Sequence, residues 1–362
     1  MRILHLSSER TWRGGEQQMA YLFEELQASG IEQFVAVRPA SAFEQYCIKN
    51  NIVHITCSFS GDFNIPSALS VKNFCRKKNI DLIHAHSAGG HTVGVLSQVL
   101  GNKTPMVLSR RVDFAPNKNW FSQFKYNYKG IKKIICVSDA VKQILSSSLS
   151  HPEKCITIYD GIDLNRFAAV KKSGILHREF NLPGDTKIIA NIAALAPHKD
   201  YFTFLNTAKK LQGKITAKFF IIGQGELLEQ IQQRIQELDL NNEVFITGFR
   251  EDLEKIFPEI DVLLFTSETE GFGSTILDAF ACLVPVVATS AGGIPEMVKH
   301  NINGLLAPVK NADELAENVL RIISDNNLRR QLTTQAKEDV KKFSKENMAA
   351  KTLEVYNQVL NA

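Results

Sequence analysis

The densest chemical signal in the sequence is the run Thr266-Ser267-Glu268-Thr269-Glu270-Gly271-Phe272-Gly273-Ser274-Thr275-Ile276-Leu277-Asp278-Ala279-Phe280. An apolar stretch over 261–265 reads as a buried strand that ends in carboxylates. A Gly-Phe-Gly turn follows, and a helix opens over 274–281. The free N–H groups of Ser274 and Thr275 in its first turn suit a phosphate. Asp278 stands one turn further on, where a carboxylate accepts hydrogen bonds from ribose hydroxyls; Glu270, on the loop, can do the same for a sugar. A second glycine loop, Thr289-Ser290-Ala291-Gly292-Gly293-Ile294-Pro295-Glu296, follows the apolar strand 284–288. Near the start, Gly14-Gly15-Glu16 sits at a strand–helix turn, where glycines admit a close ligand and the helix start offers free amides. A glycine pair at such a turn is as often plain turn chemistry.

His84 and His86 end an apolar stretch and, by strand alternation, share a side; His91 follows on the next helix. No carboxylate or cysteine nearby completes a ligand set, so a polar contact is favoured over a metal. No Asp-x-Asp triplet of the kind that holds a divalent cation occurs, and metal-independent chemistry is expected. The six cysteines, Cys47, Cys57, Cys75, Cys136, Cys155 and Cys282, form no Cys-x-x-Cys pair and read as reduced thiols.

These residues need elements to hold them. Strands are expected at 2–7, 34–37, 52–55, 81–85, 105–109, 133–137 and 155–158. Helices are expected from about Glu16 to Gly30, where Met19, Leu22, Phe23 and Leu26 make an apolar face, and at 66–77, 90–100 and 140–147, the last capped by Asp139. The alternation pauses over 160–185 and restarts with strands at 187–192, 217–222, 244–247, 261–265 and 284–288, separated by helices at 201–211, 226–238 and 274–281. Helices at 313–324, 326–341 and from about Lys345 close the chain. Such alternation means βαβ units and parallel sheets, two doubly wound halves whose ligands bind at the carboxyl ends of strands, so that two facing sheets make a cleft.

Length and composition agree. At 362 residues, with 44% hydrophobic and 22% charged, the chain has room for about two soluble domains and no transmembrane-length apolar run or signal-peptide core. The net charge of +4 is uneven. Residues 1–167 hold 20 Lys and Arg against 13 Asp and Glu, and the remainder 22 against 25. The basic half is expected to meet something anionic.

Taken in order, these motifs resemble those of the retaining GT-B glycosyltransferases of family 4. Glu270, seven residues and Asp278 match the family's paired carboxylates. Pro285-Val286-Val287-Ala288-Thr289 and Gly292-Gly293-Ile294-Pro295-Glu296 match its next two motifs. Gly14-Gly15-Glu16, Asp160-Gly161-Ile162-Asp163 with Phe167, Gly223 with Gly225, and the closing Phe343-Ser344 helix match in turn. The resemblance implies an α/β GT-B fold. Residues 1–165 would be the acceptor-side Rossmann-like domain and 166–342 the nucleotide-sugar domain, and 343–362 would be a helix packed back on the first.

It also implies roles. Asp278 would hold the ribose and Glu270 the transferred sugar. Gly273, Ser274 and Thr275, with Gly14 and Gly15, would hold the diphosphate, Gly271 and Phe272 would belong to the same donor site, and Gly248, Phe249 and Arg250 would sit at the base. Lys199 matches the family lysine, but Ala194 stands where the family has arginine, and Asp278 where it has glutamate. Arg111 stands where members often have histidine, so Lys199, Glu270 and Arg111 are the expected catalytic set. His86, His91 and Arg110 are candidates for the acceptor side.

The expected reaction moves a sugar, with retention and without cofactor, from a nucleotide-diphosphate sugar to a glycan or lipid-linked hydroxyl. Similarity to a bacterial subgroup points to surface polysaccharide or lipopolysaccharide assembly. A cytoplasmic protein is expected, peripheral on the inner membrane face through its basic half, with no nucleic-acid partner. A sugar-nucleotide epimerase of the same architecture and a non-catalytic binding protein are the alternatives.

Overall fold

The computed structural model describes residues 1–61, 64–167 and 171–361. It divides into two compact units: residues Met1–Gly161 with Lys345–Ala362, and Ile162–Ser344. The expected boundaries at 165/166 and 342/343 fall a few residues away; residues 168–170 of the expected connecting stretch lie outside the described ones.

Among the described residues, unit 1 carries seven parallel strands: β1 (Arg2–Ser7), β2 (Glu32–Val37), β3 (His54–Thr56), β4 (Leu82–Ala85), β5 (Met106–Arg110), β6 (Ile131–Cys136) and β7 (Cys155–Thr157), in the order β3-β2-β1-β4-β5-β6-β7. Unit 2 carries six: β8 (Lys187–Ile192), β9 (Ala217–Ile222), β10 (Val244–Gly248), β11 (Val262–Phe265), β12 (Val286–Thr289) and β13 (Leu305–Ala307), in the order β10-β9-β8-β11-β12-β13. The central strands β1, β4, β5, β8, β11 and β12 are buried on both faces and read as largely apolar runs, whereas the outer β3, β7 and β10 are half-buried. In each sheet the order reverses beside the first strand, between β1 and β4 and between β8 and β11. Ligands of open α/β sheets bind at such a switch point, outside the carboxyl ends of the strands.

The last helix, Lys345–Leu360, belongs to unit 1. Its Met348, Val355 and Tyr356 are buried in one cluster with Ile3, Leu22, Leu82 and Val107. Unit 2 builds its own core around Phe204, Phe219, Leu264 and Leu305.

Local differences from the sequence expectations have local causes. Gly14 and Gly15 are not loop residues but the first residues of the helix Gly14–Ala28. The Glu16 carboxylate accepts the Arg13 N–H at 3.2 Å and so draws the glycines into the first turn. Ser138, not Asp139, caps the helix Asp139–Ser146: its hydroxyl accepts the Val141 N–H at 3.1 Å, while Asp139 accepts from the Thr157 hydroxyl. Two helices not anticipated, Ala42–Lys49 and Trp120–Tyr126, begin at Ser41 and Asn119, whose side chains accept from Glu44 N and Ser122 N. Each is short, so its apolar period is too brief to stand out.

Candidate functional site

In unit 2, Lys199 and Glu270 meet. Lys199 follows β8 by way of the turn Pro197–Lys199, and Glu270 follows β11, the two strands at the switch point. Their side chains form an ion pair that is mostly sheltered from water, and the Ser267 hydroxyl donates to the same Glu270 oxygen at 3.2 Å. The Lys199 ammonium lies 5.2 Å from the centre of the Phe265 ring. Beneath the pair, the buried Thr266 hydroxyl contacts the carbonyls of Lys199 and Asp200 at 3.1 and 3.0 Å, tying the two loops together.

The glycine motifs explain how those loops are held. Gly292 has φ +49°, and a Cβ there would sit 2.0 Å from the Glu270 carbonyl oxygen. The next amide, Gly293 N–H, donates to that same oxygen at 2.9 Å. The second glycine loop is therefore a seat for Glu270. Gly223 does the same for the loop before Lys199: its φ is +152°, and a Cβ would meet the Ala193 carbonyl oxygen at 2.0 Å.

Asp278 lies in the helix Thr275–Ala281, with Ser274 just before it. Burial pushes its carboxyl up to about 7, and the positive Arg166 opposes that only in part. Gly273 has φ +90° and ends the turn. Phe272 is buried 5.6 Å from the Phe343 ring and fastens the turn to the end of unit 2. At the expected base position, the Phe249 ring is 55% exposed. The Arg250 guanidinium beside it is taken up by both oxygens of Glu179 at 2.6 and 2.9 Å and by Asp252 at 2.9 Å. Those carboxylates hold Arg250 still more firmly charged. Gly248 has φ +74° at the end of β10, and its carbonyl accepts the Gly223 N–H at 2.9 Å.

In unit 1, Arg111 Nε faces Asp160 Oδ1 at 3.3 Å, and its Nη1 is buried without a hydrogen-bond partner. Burial raises the Asp160 carboxyl, against the pull of Arg111. A Cβ on Gly15 would lie 3.9 Å from the Arg111 side chain, so Arg111 runs beside the Gly14–Gly15 turn. Arg110 is buried and engaged: it donates to the Tyr126 hydroxyl at 2.5 Å and to the Phe114 carbonyl. His91 is buried too, 3.1 Å from the Lys125 carbonyl oxygen, and burial takes it down to about 3.

His86 belongs to a group that the sequence did not reveal, because His5 on β1 completes it. The ring nitrogens of His5, His84 and His86 all lie within 4.8 Å of one another. Their hydrogen bonds fix the tautomers. Gln33 Nε2 donates to the Phe23 carbonyl, so Gln33 Oε1 faces His5 Nε2 at 3.0 Å and that nitrogen carries the proton. Burial takes His5 down to about 4, so it is neutral and its bare Nδ1 accepts from His86 Nε2 at 2.9 Å. His86 Nδ1 is then a bare, buried lone pair with no partner. His84 spends both nitrogens, on the Tyr356 hydroxyl at 2.5 Å and the Ser109 hydroxyl at 2.8 Å. Burial, then the neighbouring imidazoles and Arg111, keep His84 and His86 far below the usual histidine range. The group is a neutral cluster in which His5 and His86 bond to each other and His84 bonds to Tyr356 and Ser109.

Two family models match the chain: Glycosyltransferase Family 4 over residues 12–166, and Glycosyl transferases group 1 over residues 173–339. The glycosyltransferase MJ1178 of Methanocaldococcus jannaschii is 30% identical over 330 residues, 88% of each chain. An Escherichia coli UDP-Gal:alpha-D-GlcNAc-diphosphoundecaprenol alpha-1,3-galactosyltransferase is 24% identical over 72% of this chain and 71% of its own. Among solved structures, HepE of Anabaena in complex with UDP and glucose superposes with a TM-score of 0.86 at 21% identity, covering 99% of this chain and 100% of that one. With two parallel-sheet Rossmann-like units and paired carboxylate and glycine-loop motifs, the chain belongs to the GT-B glycosyltransferases of the family 4 type.

Proposed function

We propose that the protein transfers a sugar, with retained anomeric configuration, from a uridine diphosphate sugar to a hydroxyl of a lipid-linked glycan in surface polysaccharide or lipopolysaccharide assembly. The observation that carries this reading is the Lys199–Glu270 pair at the switch point of unit 2, seated by Gly292 and Gly293. Glu270 would hold the transferred sugar and Asp278 the ribose, while Lys199 and the amides of Ser274 and Thr275 would meet the diphosphate. As the bond from the anomeric carbon to the phosphate oxygen breaks, negative charge grows on the diphosphate, and a preset cation stabilises it. The new bond to the acceptor oxygen forms on the same face, and the acceptor proton passes to the departing phosphate oxygen. This route asks for neither a protein nucleophile nor a metal. The nucleotide and the lipid-linked acceptor are taken from the likeness to HepE and the E. coli galactosyltransferase. Arg111 is assigned the charge that Ala194 lacks.

The test begins with a thermal-shift screen of UDP-, GDP- and ADP-sugars. A ligand at one hundred times its dissociation constant adds about 2.7 kcal/mol. Donor hydrolysis and transfer are then measured with and without chelator. Lys199→Ala is expected to lower kcat about 10²–10³-fold. Loss of turnover in chelator would remove the metal-independent part. Unchanged donor binding and transfer in Arg111→Ala would remove its assignment. Conversion of donor alone to an isomeric sugar nucleotide would favour an epimerase instead.

A further inference from the structure

The segment between β5 and β6 carries aromatic surface that the transfer reading does not use. The helix Trp120–Tyr126 buries none of its side chains. Its inner side is anchored: Lys125 Nζ donates to the Thr92 hydroxyl at 3.0 Å, and the Tyr126 hydroxyl receives Arg110. Its outer side presents Trp120, 72% exposed, and Phe124, 41% exposed, one helical turn apart with ring centres 6.3 Å from each other. Phe114, 63% exposed, and Val112 are further exposed apolar residues on the preceding loop. Single exposed apolar side chains are ordinary on a surface, but a group of them in one short segment marks a contact. From 114 to 138 the sequence has Lys118, Lys125, Lys129, Lys132 and Lys133 and no acidic residue.

We infer that this segment is a docking surface for an anionic lipid bilayer, with Trp120, Phe124 and Phe114 at headgroup depth and the exposed Lys118, Lys129 and Lys132 on the lipid phosphates. Aromatic rings with a polar rim favour that depth. Each lysine near an anionic leaflet strengthens binding about fivefold, the equivalent of about 1 kcal/mol. The anchored backbone has little conformational freedom left to lose on docking. A run of lysines without acids matches a uniformly anionic sheet. The choice of a membrane over a protein rests on the lipid-linked acceptor proposed above, but the assay uses neither donor nor acceptor, so the two readings fail separately.

The sequence has two tryptophans, and Trp12 is stacked on Phe43 at 5.6 Å. Trp12→Phe leaves Trp120 as the sole reporter. With phosphatidylethanolamine–phosphatidylglycerol vesicles, its emission is expected to shift to the blue and to be quenched by brominated acyl chains. Pure phosphatidylcholine vesicles should produce neither effect, and salt should weaken both. In the otherwise native chain, Trp120→Ser with Phe124→Ser should lower co-sedimentation with the anionic vesicles at least about tenfold and leave the melting temperature unchanged, since neither side chain is buried. Unshifted Trp120 emission on anionic vesicles overturns the proposal. So does equal co-sedimentation of the double variant, or binding to soluble heparin as tight as to vesicles.

Discussion

Asp278 joins a departure from the family motif to a measurable titration. Burial holds its carboxyl at about 7, and ribose hydroxyls, which donate hydrogen bonds, favour the charged form. Donor binding by the proposed route therefore releases a proton. Affinity rises as pH climbs through 7 and levels off above it; between one pH unit below and one above, the gain is about tenfold. Donor titrations across that range check it. Asp278→Asn should bind more weakly, with a flat profile, and a flat profile in the native chain would take Asp278 away from the ribose. The sequence showed the shortened side chain at this position. It could not show the raised titration, which comes from what the fold packs around the carboxyl. His86 makes the same point: its bare Nδ1 follows from His5 and Gln33, which lie far from it in sequence and reach it only through β1 and β2.

At the scale of elements, most strands and their parallel pairing were legible because parallel strands buried on both faces are continuous apolar runs between amphipathic helices, whereas the order of the strands and the three-residue β13 came only from the structure. The capped helix Trp120–Tyr126 was not legible, because it is short and two of its aromatic residues, Trp120 and Phe124, are exposed and imitate no core pattern. The roles of the glycine loops were half legible. Gly292 and Gly293 stood out as a motif, but their work is to seat the Glu270 backbone, which takes three dimensions to see. Gly292→Ala should therefore act through a residue it does not replace. At φ +49° the new Cβ costs about 1–2 kcal/mol, and it displaces the Glu270 carbonyl. A shift of about 1 Å in a positioning loop lowers turnover about a hundredfold. A large fall in kcat with the chain still folded by circular dichroism is the expected result; near-native turnover would show that the loop tolerates displacement.

For the whole molecule, bulk charge misdirects unless it is read unit by unit. The acidic part, 168–362, supplies the proposed diphosphate site through one lysine and local amides, while the basic part holds the lysine-rich segment 118–133. The chain's path has a sharper consequence. Unit 2 is one continuous stretch, whereas unit 1 is finished only when Lys345–Leu360 returns its apolar side to β1, β4 and β5. Tyr356 is the centre of that return, fully buried and bonded through its hydroxyl to His84. Tyr356→Ala should cost about 3–5 kcal/mol, the usual loss for a large buried aromatic. Tyr356→Phe, which keeps the ring and leaves His84 Nδ1 without its partner, should cost about 1–3 kcal/mol. Both tryptophans of the sequence, Trp12 and Trp120, lie in unit 1, so tryptophan emission during urea unfolding reports that unit alone. The emission midpoint should fall steeply for Tyr356→Ala and modestly for Tyr356→Phe. A fragment spanning 162–344 should fold cooperatively on its own, and one spanning 1–161 should not. A folded 1–161 fragment with native tryptophan emission would show that the closing helix covers unit 1 without completing it.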